Sequence, residues 1–289
     1  MLNKIWHVLL FHLKQALSAP RIPLLFILIA IFIFSNVQPV SEFANEVGID
    51  ATPWAFSHIT SDYICQLVIM AVVIFLFCDA PFNSAAHSYI LPRAGYTAWG
   101  IGTCLYIVVL SLLYVLLIQI ISIMALLPNI VFQLGWGKIW GTLARTTAAT
   151  QYGIPFTVYD YIIGAYTPLQ ANLTSFLLEW ACCTWLGLVI YFFNNASGTM
   201  VGSLIAAGFV FLDITIANEW SYSFFRYSPV TLAQLPAISR VESLYGLSLS
   251  YAVRFFSISI FLLVCLCVLT PLIKRKIWVI VQRRGMRNV

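Results

Sequence analysis

Apolar residues fill this chain in long blocks broken by short polar stretches. Five blocks contain no charged residue: 22–41, 63–78, 94–137, 180–212 and 255–273. A helix needs roughly 20 mostly apolar residues to cross hydrocarbon. Backbone groups in lipid must also satisfy one another, so runs of this length predict helices rather than open sheet. The block 180–212 is too long for one helix, and Asn194, Asn195, Ser197 and Gly198 supply turn residues inside it, predicting a tight helical hairpin. The block after Arg93 predicts one span ending near Pro128, followed by a Trp-rich segment at the membrane interface. The pattern therefore predicts an all-α integral membrane protein with spans at 22–40, 60–78, 98–125, 173–193, 198–217 and 253–273, forming a single transmembrane domain over 1–289.

Residues 1–20 have a different period. Ile5, Trp6, Leu9, Leu10, Leu13 and Leu17 share one stripe at helical spacing, while Asn3, Lys4, Lys14, Gln15 and Ser18 lie elsewhere, as in a helix resting on a membrane surface. A signal peptide is the competing reading. No small-x-small cleavage site follows the first apolar run, and five further spans do, so the first span is expected to remain uncleaved behind an elbow helix.

Composition sharpens this picture. The 289 residues are 61% hydrophobic and 9% charged, with mean hydropathy +0.93, whereas soluble domains carry about 25% charged residues. With both termini on one side, that side holds Lys4, Lys14, Arg21, Arg93, Lys274, Arg275, Lys276, Arg283, Arg284 and Arg287; the other holds Lys138, Arg145, Arg226, Arg240 and Arg254. Ten against five places both termini in the cytoplasm. The net charge of +5 is then explained by a basic tail, 274–289, suited to anionic lipid rather than nucleic acid.

Candidate chemistry is sparse. HExxH, GxSxG and GxxxxGK[ST] are all missing, so the chain offers no zinc protease site, nucleophile elbow or phosphate loop of its own. His7, His12, His58 and His87 are dispersed and are expected at interfaces or in loops. The seven cysteines fall within or beside the spans as small hydrophobes, and no metal site is expected. Intramembrane polarity is costly and therefore informative. Glu179, Asp213 and Arg254 are expected at similar depth near the outer leaflet, either as interfacial charges reaching water or as a cluster gating an exit path. Gln66 and Gln119 lie deeper, as interhelical hydrogen bonders or as part of a translocation path. Gly198, Gly202 and Ala206 recur every four residues, a face that admits a close helix neighbour.

The polar break at 79–97 carries the strongest family signal. It opens Asp79-Ala80-Pro81-Phe82, passes through a helix-compatible stretch, and closes Pro92-Arg93-Ala94-Gly95-Tyr96 before the third span. With the amphipathic start, six spans and the external Phe224–Leu235 stretch, it resembles the first intracellular loop of the ABC-2 family of ATP-binding-cassette permeases, small Gram-positive exporters in particular. The resemblance implies a permease in the cytoplasmic membrane that is not itself an enzyme. It implies no cofactor in this chain, ATP and Mg being bound by two copies of a separate ABC ATPase subunit. It also implies a second permease chain, identical or similar, with the translocation path between the two. Asp79, Pro81, Phe82, His87 and Arg93 would couple to the ATPase, with Asp79 and Arg93 fixing the ends of the pushed segment 82–91 and Pro81 and Pro92 marking helix boundaries. Amphipathic peptides such as toxins or bacteriocin-like peptides lead as cargo, ahead of drugs and lipid-linked glycans. An ion-coupled secondary transporter is the alternative of another class. The external segments 126–172 and 218–252 are open in role; the first is longer than the minimal family pattern and is expected as a lid or an interfacial element.

Overall fold

The computed structural model describes residues 1–82, 87–217, 222–238 and 247–285. In chain order the elements are α1 (Leu2–Ser18), α2 (Arg21–Val47), α3 (Ala55–Ile59), α4 (Tyr63–Phe77), α5 (His87–Ala94), α6 (Tyr96–Met124), α7 (Gly137–Arg145), α8 (Ala148–Gln151), α9 (Asp160–Ala165), α10 (Pro168–Ser197) and α11 (Val201–Ala217). A 3-10 turn (Tyr222–Tyr227), α12 (Pro229–Ala233), a second 3-10 turn (Leu235–Ala237) and α13 (Leu249–Gly285) complete them. The protein is all-α, and among the described residues four helices, α2, α6, α10 and α13, are long and apolar enough to cross a membrane. It is therefore a multi-pass membrane protein. Two shorter apolar helices, α4 and α11, pack among them.

Local chemistry explains the helix limits. Asp62 caps α4 by accepting the backbone N–H of Ile64 at 3.0 Å and of Cys65 at 3.1 Å, so α4 starts later than residue 60. Thr167 and Gln170 form a capping box before α10, with Pro168 in its first turn, which moves the start of that helix back from 173. Gly198 closes α10 in the left-handed region (φ 76°). α13 does not stop at 273 but continues past Pro271 into the basic segment.

The most enclosed helix is α10. Buried residues make up 67% of its apolar window, against 17% for α13, and it touches α3, α4, α6, α11, α12 and α13. Glycines make that possible: a Cβ on Gly187 would meet Ile107 at 2.6 Å and Phe77 at 2.9 Å, so only hydrogen lets α4 and α6 close on α10 there.

The helices share two ends. At one, the start of α2 meets the end of α4 through Arg21 and Asp79, and the end of α10 meets the start of α11. α1 lies across this same end against α6. At the other end, residues 49–62, 125–167 and 228–238 form a cap. Ala51 pairs with the 129–131 strand-like segment, its N–H donating to the Asn129 carbonyl and its carbonyl accepting from Val131, both at 2.9 Å. Thr52 donates to the Trp136 carbonyl at 2.7 Å, and Trp140 Nε1 donates to the Thr52 carbonyl at 3.0 Å. Trp140 is fully buried and joins the main hydrophobic core together with Ile139 and Leu143, while Phe132 and Leu134 of the same segment are exposed. His58 is buried in that core instead of lying in a loop, its ring stacked 4.9 Å from Trp140 and tilted 5.0 Å from Trp136. Burial there pushes its pKa down to about 3.

Candidate functional site

The polar segment between α4 and α6 is held from three sides. Arg21 at the start of α2 forms a bidentate ion pair with Asp79, with Nη2 2.6 Å from Oδ2. Both side chains are partly exposed, so the pair contributes about 1 kcal/mol or less. Asn194 in the last turn of α10 does more. Its Nδ2 donates to the Cys78 carbonyl at 3.2 Å and the Ala80 carbonyl at 3.0 Å, while its Oδ1 accepts the Gly202 N–H at 2.7 Å. One buried amide thus ties the segment to the α10–α11 hairpin. Although expected in a turn, Asn194 lies inside the helix.

Phe82 is an anchor rather than a contact surface. Its backbone sits in the left-handed region (φ 57°), unusual for a bulky residue. The turn drives the ring inward, 5.1 Å from Tyr106, 5.8 Å from His12 and 6.4 Å from Tyr191. His12 of α1 belongs to this aromatic nest, 4.8 Å from Trp99 and bonded to Thr103 at 3.1 Å, instead of lying at an interface. α1 therefore turns Ile5, Val8, Leu9, His12 and Ala16 to the protein, and Trp6, Leu10 and Leu17 of the expected stripe face outward. The close approach is set by Gly102, where a Cβ would meet Val8 at 2.6 Å.

Beyond Phe82 the short helix α5 presents Tyr89 and Arg93 outward, Tyr89 76% exposed. Pro92 lies in its last turn and does not bound it; the helix stops at Gly95 (φ 86°), which starts α6. Lys4 of α1 donates to the Arg93 carbonyl at 3.0 Å. Between α1 and α5 runs a groove of about 340 Å³ lined by Lys4, His7, Phe11, Tyr89, Ile90 and Arg93, among others. His87 begins α5, and its side chain, like residues 83–86, lies outside the description.

The intramembrane polar residues do not form one cluster. Glu179 is 0% exposed and accepts a hydrogen bond from Gln66 Nε2 at 2.9 Å. Asp213 is 3% exposed and accepts from Thr231 Oγ1 at 2.6 Å and Gln234 Nε2 at 2.8 Å. Neither reaches water, which corrects the expectation of interfacial charges. Arg254 is exposed, its Nε on the Ser250 carbonyl at 3.1 Å, and so does not meet them. Gln119 is half-buried on α6, with Oε1 enclosed. Gly198 belongs to the turn, not to a helical face, so the close approach is made by Gly202, whose Cβ position lies 2.5 Å from the Ile190 carbonyl oxygen, with Ala206 buried one turn on. Among the described residues no group of three or more His, Cys, Asp or Glu side chains is placed to hold a metal. Arg240 and the end of the tail lie outside the described residues.

Comparison with protein-family models, with curated proteins and with solved structures finds no match.

Proposed function

We propose that the chain is the permease subunit of an ATP-driven exporter of the ABC-2 type, dimerising with a like chain and driven by a separate ATPase docked on α5. One observation carries the reading. The segment leading into α5 is clasped at once to α2 through Arg21, to the α10–α11 hairpin through Asn194, and to α1 and α6 through Phe82. A force on the exposed face of α5 would therefore reach most of the bundle through short, directional contacts. Docking falls to Tyr89, Ile90 and Arg93 rather than Phe82, whose ring is already used inside.

Six crossings fit the connectivity. α4 and α11 measure only about 22 and 25 Å at 1.5 Å per residue, yet each runs between the same two ends as its longer neighbours. α4 runs from Asp62, which accepts the Thr157 N–H of the cap at 3.3 Å, to Asp79 beside Arg21. α11 runs from Gly202 beside Asn194 to Asp213 beside Thr231. Both termini then lie with ten of the fifteen basic residues on the cytoplasmic face. The sequence holds no phosphate loop, which supports an ATPase supplied by a separate chain. An apolar, aromatic bundle with few fixed charges suits amphipathic peptides as cargo, ahead of drugs and lipid-linked glycans. The buried Glu179 is the one feature that favours an ion-coupled transporter instead.

The test is affinity purification of the full chain from its native membrane in mild detergent. The expected eluate hydrolyses Mg-ATP, and Tyr89→Ala with Arg93→Glu lowers that activity severalfold without lowering the permease's Tm. Wild-type eluate free of ATP hydrolysis, with transport persisting in ATP-depleted vesicles, would favour the ion-coupled reading.

A further inference from the structure

Glu179 is unlike the other buried acid. Asp213 receives a donor on each oxygen, from Thr231 and Gln234. Glu179 receives one, from Gln66, on Oε2 alone, and its Oε1 is buried without a partner. Two further oxygens share that condition nearby. Gln66 Oε1, on the amide already bonded to Glu179, is buried and unpaired. So is the hydroxyl of Ser175, one turn before Glu179 on the same helix face; both residues are at most 1% exposed. All three are hard oxygen acceptors. An uncompensated carboxylate so deeply enclosed costs several kcal/mol, so such a group is retained only with a positive partner.

Among the described residues no side chain supplies it. The groups close enough to act on Glu179 electrostatically are Tyr114 on α6, Cys182 and Cys183 on its own helix, and Asp213 on α11; none is basic. The Tyr114 hydroxyl donates to the Ile69 carbonyl at 2.9 Å and is spent. On the other packed elements, Arg254 and Tyr251 of α13 bond to backbone carbonyls, Cys267 of α13 faces the Leu188 carbonyl, and His58 of α3 stacks on Trp140 and lies tilted against Trp136. The His58 ring nitrogens are enclosed without a partner, and His58 is not among the groups that act on Glu179. A single carboxylate among neutral oxygens matches one positive charge better than two.

We propose that Glu179, Gln66 and Ser175 form a binding site for one monovalent cation, an alkali ion or a proton, between α4 and α10. The cation neutralises Glu179 and gives the three open oxygens a positive centre. The site stands independently of the exporter reading, because its test involves neither ATP nor a partner.

The purified full chain is treated with dicyclohexylcarbodiimide, which modifies protonated carboxyls in apolar surroundings, and the Glu179 and Asp213 peptides are weighed separately. Tm is followed in parallel in NaCl, KCl or choline chloride at equal ionic strength, at mildly acidic and alkaline pH. Protection of the Glu179 peptide by NaCl or KCl but not choline chloride, with a higher Tm, identifies an alkali ion. Labelling and Tm that follow pH alone identify a proton. In either case Glu179→Gln, which brings its own amide donors, loses the part of the Tm response that tracks the Glu179 label, while the part due to His58 remains. Indifference of wild-type Glu179 labelling to both cations and pH overturns the proposal, as does a Glu179→Gln variant whose Tm responds to cations and pH like wild type. The wild-type arm requires no variant to fold.

Discussion

Replacing Asn194 by Ala removes three hydrogen bonds at one point. The Gly202 N–H and the Ala80 carbonyl lose buried partners, each loss costing about 1 to 1.5 kcal/mol, and the half-buried Cys78 carbonyl adds about 0.5 kcal/mol. The sum is about 3 kcal/mol, or roughly two orders of magnitude in the folded population. Asn194→Asp should be about as harmful, since it keeps an acceptor for Gly202 but faces both carbonyls with oxygen. Reversible unfolding in mixed micelles measures the cost. The labelling rate of Cys78 by a water-soluble maleimide, in a Cys265→Ala background, reports the local effect, because Cys78 and Cys265 are the half-buried thiols while Cys65, Cys104, Cys182, Cys183 and Cys267 are enclosed. Both readouts should move together, Cys78 reacting severalfold faster. An Asn194→Ala protein within about 0.5 kcal/mol of wild type, with unchanged Cys78 reactivity, would refute the claim that this amide clasps the segment.

Other substitutions separate the remaining contacts. Gly202→Ala places a Cβ 2.5 Å from the Ile190 carbonyl oxygen and should cost about 2 kcal/mol or more; Gly198→Ala meets no neighbour and should cost only the left-handed backbone, about 1 kcal/mol, by the same unfolding assay. Asp62→Ala uncaps α4 and frees the Thr157 N–H, a loss of about 2 kcal/mol, while Asp62→Asn keeps part of the cap. His58 stays neutral in the fold but takes a proton when unfolded below about pH 6.5. Stability is therefore complete above that pH and should fall by about 1.4 kcal/mol per unit as pH drops towards 3; His58→Phe should flatten the slope.

What could be read from the sequence follows from what each pattern encodes. Apolar run length locates helices because crossing hydrocarbon is a one-dimensional constraint, and the charge-free blocks lie within or largely overlap the six apolar helices. The limits of α4 and α10 shifted because Asp62 and Thr167 act through local hydrogen bonds that hydropathy does not register. Asn194 was hidden by its own propensity: asparagine beside asparagine, serine and glycine suggests a turn, but here the turn begins at Gly198 and the amide serves as a buried staple. His12 and His58 were obscured for a related reason, since aromatic nests assembled from distant segments leave no periodic trace. Phe82 could be singled out as special in the segment, but its direction depended on a backbone turn that no spacing reveals. The separation of Arg254 from Glu179 and Asp213 turned on helix rotation, which depth alone does not set.

The central claim is that α5 is the docking face for an ATPase. A photo-reactive amino acid in place of Tyr89, exposed at the tip of the clasped segment, tests it in intact cells, with mass spectrometry of the adduct. The account predicts a crosslink to an ATP-binding-cassette ATPase that weakens when Arg93 is changed to Glu. A Tyr89 probe that captures only lipid, or no nucleotide-binding protein in cells actively exporting, would contradict it.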